Sequence, residues 1–160
     1  MLKKALEGKR VYIDTNIYIY VALNHPKYYG KCYEVLDLLI SRKFEGYGSI
    51  LVLFELFGAL SEINVDAAYD AALSYLDFPL IILEVDRKTL EYAKIIAEFS
   101  KTTYDALHAA LVAQNELEVV VTEDLDDWKK ILKAWPKLME KYRVKEIYVF
   151  SPRRNKVLQI

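Results

Sequence analysis

Short apolar runs alternate along this chain with longer segments whose apolar residues recur at helical spacing. Val11–Ile13 is a β-prone run. Residues 18–22 and 30–43 read as helices, the second on Cys32, Val35, Leu36, Leu39 and Ile40. Glu45–Gly48 reads as a short strand, and Ser49 as the N-cap of a helix reaching about Ile63. Another helix follows over 65–76. Leu80–Val85 is apolar apart from Glu84 and is bounded by Pro79 and Asp86, which predicts a largely buried parallel strand. Helices over 86–100 and 102–115 precede a buried strand at Val119–Thr122. A helix over 126–142, which Pro136 should kink or split, leads to a last strand at Ile147–Phe150.

Strands separated by helices predict an α/β fold, a parallel sheet with helices on both faces. Ligand sites in such sheets gather at the carboxyl ends of strands. Two acids fall there: Asp14 directly follows the first strand, and Asp124 lies just past Val119–Val121.

Composition narrows the class. A length of 160 residues with no repeat, linker or composition break predicts one domain over 1–160, and 54% hydrophobic residues suffice for a core. The single cysteine, Cys32, excludes an internal disulfide and a zinc site built on several thiolates, and reads as a small core hydrophobe. The charged start MLKKALEGKR has no apolar signal region, and the longest apolar run, about Ile50–Leu60, is interrupted by Glu55. That run falls short of the roughly 20 residues a bilayer span needs, so a soluble, cytoplasmic protein with no membrane partner is expected.

The net charge of −1 conceals an asymmetry. Between Lys129 and Lys156, ten Lys and Arg face only Glu140 and Glu146, a net +8 that leaves −9 for the remainder. A basic C-terminal extension from about residue 129 suits phosphate groups near an acidic site, and equally suits a solvated helix face.

Several acids sit where an acid is costly. Glu55 interrupts Ile50-Leu-Val-Leu-Phe-Glu-Leu-Phe-Gly-Ala-Leu60, a segment apolar all round that should be buried. A carboxylate there must meet a cation, either Lys or Arg or a metal. Asp105 lies near the start of a helix rich in small residues, Ala106, Ala109, Ala110 and Ala113, that would pack it close to the sheet. Asp14-Thr-Asn16 and Thr122-Glu-Asp-Leu-Asp-Asp-Trp128 each follow a strand. Taken singly, these acids also suit turns, helix caps or the helix dipole. Converging at one sheet edge, they would repel one another unless a divalent cation joined them, and oxygen-only ligands select Mg²⁺ or Mn²⁺ over zinc.

Four segments together resemble the PIN-domain family, which includes the VapC-type toxins of toxin–antitoxin pairs. They are Val11-Tyr-Ile-Asp14-Thr-Asn-Ile17, Ser49-Ile-Leu-Val-Leu-Phe-Glu55-Leu, Thr103-Tyr-Asp105-Ala-Leu-His108-Ala-Ala and Val120-Val-Thr122-Glu-Asp124-Leu-Asp-Asp127-Trp128. No single segment is specific; their order and context are. The resemblance spans about residues 10–130 and implies a three-layer α/β/α fold on a central parallel sheet of about five strands. It implies a Mg²⁺- or Mn²⁺-dependent ribonuclease cutting single-stranded RNA, frequently a homodimer, with an antitoxin as partner where the protein is a toxin. On matching positions, Asp14, Glu55, Asp105 and Asp124 are the implied catalytic and metal-binding acids. Members place the last acid at the position of Asp124, of Asp127, or of both. Asn16 and Thr122 are expected to orient a carboxylate or a metal-bound water. His108 is expected to be packed with one hydrogen bond, and Tyr18, Tyr20, Tyr28 and Tyr29 are the best candidates to stack on bases.

Other acidic α/β folds fit poorly. A receiver domain wants paired acids after the first strand, a haloacid-dehalogenase-type phosphatase wants Asp where Asn16 stands, and a dinucleotide fold wants a Gly-rich turn that is missing. Two alternatives stay open: a PIN module that binds RNA or protein without catalysis, and an RNA-processing nuclease without an antitoxin.

Overall fold

The computed structural model describes residues 1–159. In chain order its elements are α1 (Leu2–Leu6), β1 (Arg10–Ile13), α2 (Thr15–Ala22), α3 (Tyr29–Ile40), β2 (Glu45–Ser49), α4 (Ile50–Ser61), α5 (Val65–Asp77), β3 (Leu80–Leu83), α6 (Arg87–Ser100), α7 (Tyr104–Gln114), β4 (Val119–Val121), α8 (Leu125–Tyr142), β5 (Tyr148–Ser151) and β6 (Lys156–Leu158). The strands form one sheet in the order β3-β2-β1-β4-β5-β6. All pairings are parallel except β5 with β6, which is antiparallel.

The expected α/β architecture is present, with a six-stranded mixed sheet in place of about five parallel strands. α1 and β6 carry short, charge-interrupted sequences that offer no clear periodicity. The helices pack in two groups, α2 to α5 and α6 to α8, as a sheet covered on both faces requires. β1 lies between β2 and β4, so Val11, Tyr12 and Ile13 are buried from both sides.

Four local expectations change. Leu80–Val85 is not a buried strand: β3 is at the sheet edge, and Ile81 and Ile82 are 48% and 44% exposed. α4 is not enclosed either, since Phe54 is 67% exposed, so its apolar sequence does not report burial. Pro136 does not split α8: it lies on the exposed face while buried Ile131, Trp135 and Leu138 hold both halves against the core. Ser49 starts α4 without a side-chain cap; its Oγ bonds Tyr12 instead.

Ser49 also explains a glycine. The Tyr75 hydroxyl on α5 accepts from Ser49 N–H at 3.0 Å and donates to Ser49 C=O at 3.1 Å. A Cβ on Gly48 would lie 2.1 Å from that hydroxyl oxygen, closer than real atoms approach. Gly48→Ala must therefore break the link or displace Tyr75, a cost of about 1–3 kcal/mol. The expected result is a melting temperature lower by several degrees; melting unchanged from wild type would show that Tyr75 moves aside freely.

Candidate metal centre

The register of β1 on β4 builds the site. Ile13 pairs with Val121, so the next residues, Asp14 and Thr122, leave the sheet side by side at its carboxyl end. The sheet order places β2 on one side of β1 and β4 on the other, the switch point at which α/β sheets open a crevice. Asp14 caps α2 and is 4% exposed. It accepts from Thr15 N–H at 2.8 Å on Oδ1, and from Thr122 Oγ1 (2.8 Å), Trp128 Nε1 (3.3 Å) and Asn16 Nδ2 (3.4 Å) on Oδ2. A carboxylate has about four lone-pair sites. Three donors crowd Oδ2, so Oδ1 keeps the open one.

Thr122 is the hub of the loop after β4. Its hydroxyl donates to Asp14 and accepts from Asn16 Nδ2 at 2.9 Å and from Asp124 N–H at 3.0 Å. The Asn16 carbonyl accepts from Glu123 N–H at 3.1 Å. Asn16 and Thr122 thus lock the loops after β1 and β4 together. Asp124 caps α8, accepting from Asp127 N–H at 3.2 Å, so these two acids share the first turn. Asp105 enters from the first turn of α7. Asp105, Asp124 and Asp127 each offer an oxygen within 4.8 Å of the others.

Glu55 enters from α4. Its Oε1 accepts from Thr15 Oγ1 at 2.8 Å and lies 2.5 Å from His108 Nε2. It lines a pocket of about 390 Å³ with Asp105, Asp127, Lys101, Thr102, Thr103 and Tyr104. Of the five expected acids, the tight cluster contains Asp105, Asp124 and Asp127. Asp14 stands behind it, and Glu55 across the pocket. Lys130 lies 3.5 Å from Asp127, the one Lys or Arg ion pair these acids make among the described residues.

A family model for the PIN domain matches residues 11–146. This chain belongs to the PIN-domain family. Solved structures similar to it include VapBC2 from Rickettsia felis bound to a promoter DNA fragment, at 23% identity, with 76% of this chain and 92% of that chain covered and a TM-score of 0.60. DNA-bound VapBC from Salmonella typhimurium matches at 25% identity over 77% and 92%, with a TM-score of 0.60. Mycobacterium tuberculosis VapC20, described as a sarcin-ricin loop cleaving toxin, matches at 18% identity over 74% and 93%, with a TM-score of 0.63. The search of curated proteins gives no match. PIN membership makes the chain a nuclease by family, and its acidic cluster is compatible with phosphodiester hydrolysis.

The electrostatics of this PIN site fit a cation. Burial, the charge of Asp14 and a hydrogen bond with Asp127 push the Asp105 carboxyl up to about 7, with Asp124 adding to the shift. Burial, then the neighbouring charges of Asp127 and Asp14, also raises Asp124, against the lowering effect of the Asp127 N–H. Glu55 goes the other way: burial opposes its charge, but the bond and charge of His108 and the Thr15 hydroxyl outweigh that and lower its pKa. The crowded acids offer only carboxylate oxygens, and a divalent cation would relieve their repulsion.

Sequence reasoning assigned His108 one hydrogen bond and the structure gives it two, to Glu55 and to Tyr12. The signal was present: His108 sits one turn beyond Asp105 on a helix whose other buried residues are all apolar. Trp128 was read only as part of a motif, and its indole N–H holds Asp14. Tyr18 is 4% exposed and cannot stack on a base, while Tyr104, 65% exposed at the pocket mouth, was passed over.

Because folding raises the Asp105 pKa from an ordinary 3.8 to about 7, the folded chain holds that proton more tightly than the unfolded one. The stability this contributes is full below about pH 4 and is lost as pH rises to about 7. In EDTA, the melting temperature should fall across that window, and Asp105→Asn should flatten the fall. Mn²⁺, which selects the ionised carboxylate, should restore stability at pH 7 to 8. A wild-type profile no steeper than that of Asp105→Asn would remove the basis for this reading.

Proposed function

We propose that this chain is a Mg²⁺- or Mn²⁺-dependent endoribonuclease that cuts single-stranded RNA, and that it is the toxin of a toxin–antitoxin pair. The observation carrying the reading is the cluster of Asp105, Asp124 and Asp127 beside Asp14, where burial and the charge of Asp14 push Asp105 up to about 7. Asp105, Asp124 and Asp127 would hold the cation, with Asp14 and Glu55 as further acids nearby. A bound divalent cation supplies an acidified water and charge neutralisation at the phosphate. The chain's own groups hold that arrangement still. Thr122 and Trp128 fix Asp14, Asn16 fixes the loop carrying Asp124, and Thr15 and His108 fix Glu55. Lys101, closing α6 in a left-handed conformation at φ 60°, brings a cation to the rim for the phosphate backbone.

The VapBC similarities support a protein partner, and so does the surface. Leu53, Phe54, Phe57, Tyr69, Leu73 and Leu76 on α4 and α5 line an apolar groove of about 500 Å³. An apolar patch of this kind is the usual mark of a protein interface, and an antitoxin segment or a second copy of the chain suits it. No helix among the described residues is long and apolar enough to cross a membrane. A non-catalytic module would be expected to neutralise its acids with Lys or Arg. Of the five acids at this site, only Asp127 has such a partner among the described residues.

The test is RNA cleavage with calorimetry on the same samples. Wild type should bind Mn²⁺ and cut single-stranded RNA, and EDTA should abolish cutting. Asp105→Asn should lose several kcal/mol of transition-state stabilisation, about 100-fold or more in kcat. Folded wild type that binds no Mn²⁺, or an Asp105→Asn variant cutting at the wild-type rate, would sink the proposal.

A further inference from the structure

Behind Glu55 a line of polar side chains runs through the core. His108 on α7 is 1% exposed, and both ring nitrogens are engaged: Nε2 lies 2.5 Å from Glu55 Oε1 and Nδ1 lies 2.6 Å from the Tyr12 hydroxyl. Tyr12, on the central strand, is fully buried, and its hydroxyl also lies 2.9 Å from Ser49 Oγ at the end of β2. The Tyr12 and His108 rings meet edge to face with centroids 5.7 Å apart, so packing fixes both orientations. The backbone of Ser49 is in turn held by Tyr75.

A buried polar group costs free energy unless its bonds are made. On α7, the buried neighbours of His108 are Ala106, Ala109, Ala110 and Leu111, and an apolar side chain would fill this position without a polar network. The geometry at Glu55 gives the histidine a purpose. Thr15 Oγ1 and His108 Nε2 converge on the same oxygen, Oε1. Two donors on one oxygen fix the rotation of the carboxylate. Oε2 receives no side-chain bond from the described residues, and Glu55 lines the pocket together with Asp105 and Asp127. With the imidazole neutral, one proton arrangement satisfies every partner: Ser49 O–H donates to Tyr12, Tyr12 O–H donates to Nδ1, and Nε2–H donates to Glu55.

We propose that His108 is a positioning residue, which holds Glu55 through Oε1 so that Oε2 faces the cation site, and that the Tyr12 hydroxyl sets which ring nitrogen donates. This rests on the metal-dependent reading above. The donors behind a metal-binding carboxylate govern its orientation, and removing one typically costs about 10–100-fold in metal affinity or activity.

The experiment uses the full chain as wild type, His108→Leu, His108→Gln and Tyr12→Phe. Each is measured for melting temperature, Mn²⁺ affinity by calorimetry, and kcat and KM on one single-stranded RNA. His108→Leu is expected to bind Mn²⁺ about 10–100-fold more weakly and to lose kcat with KM unchanged. His108→Gln, whose amide N–H reaches the same oxygen, should recover most of both. Tyr12→Phe, which removes one hydroxyl at nearly constant volume, should move both values in the direction of His108→Leu. A His108→Leu variant with wild-type Mn²⁺ affinity and kcat overturns the proposal, and so does a His108→Gln variant as impaired as His108→Leu. Should His108→Leu not fold, Tyr12→Phe decides: wild-type affinity and kcat there overturn it. Wild type that binds no Mn²⁺ overturns the metal reading itself, and no variant is needed to see that.

Discussion

The parallel pairing of β1 with β4 sets Ile13 beside Val121, and every later feature of the site depends on that register. One residue beyond the pair, Asp14 and Thr122 meet at 2.8 Å, and Asn16 closes the bridge to Glu123. A slip of one residue would turn Asp14 to the other face of the sheet and separate these groups. The apolar runs Val11–Ile13 and Val119–Val121, buried from both faces, hold the register. The hydrophobic core therefore fixes the position of the charges.

Those charges are in conflict as the chain folds. Asp105, Asp124 and Asp127 are brought within 4.8 Å while Asp14 adds its field from behind. Protonation of Asp105 is one way out, and a hard cation is the other. Assembling these acids costs folding free energy, which either a proton on Asp105 or a bound cation offsets.

α4 reconciles two environments. Its inner face carries Val52, Leu56 and Leu60 into the core and Glu55 to the edge of the acidic pocket, while Phe54 and Phe57 face outward beside α5. The same helix thus borders the acidic pocket and the apolar groove. Ser49 at its start is tied to Tyr12 and to Tyr75, so the helix is anchored to the central strand and to α5. At the opposite edge of the site, buried Glu123 accepts from Ser151 Oγ at 2.5 Å and from Arg153 N–H at 3.1 Å, which joins the β5–β6 turn to the loop bearing Asp124.

The sequence by itself determined the alternation of strands and helices, the α/β class and the positions of the acids at strand ends. Periodicity and strand-end placement are local, and side-chain direction follows from them. The resemblance to the PIN family also pointed to Asn16 and Thr122, and the structure shows both bonded to the loops that carry Asp14 and Asp124. Only the tertiary structure decided which acids meet, since Asp105 lies far from Asp124 and Asp127 in sequence and a packed α7 is needed to bring it in. It alone decided that β3 is an edge strand, that α4 has an open face and that Pro136 is tolerated, because an apolar run does not state what covers it. It also decided His108. Whether a histidine is filler or support depends on which carboxylate lies against it, and Glu55 is 53 residues away along the chain.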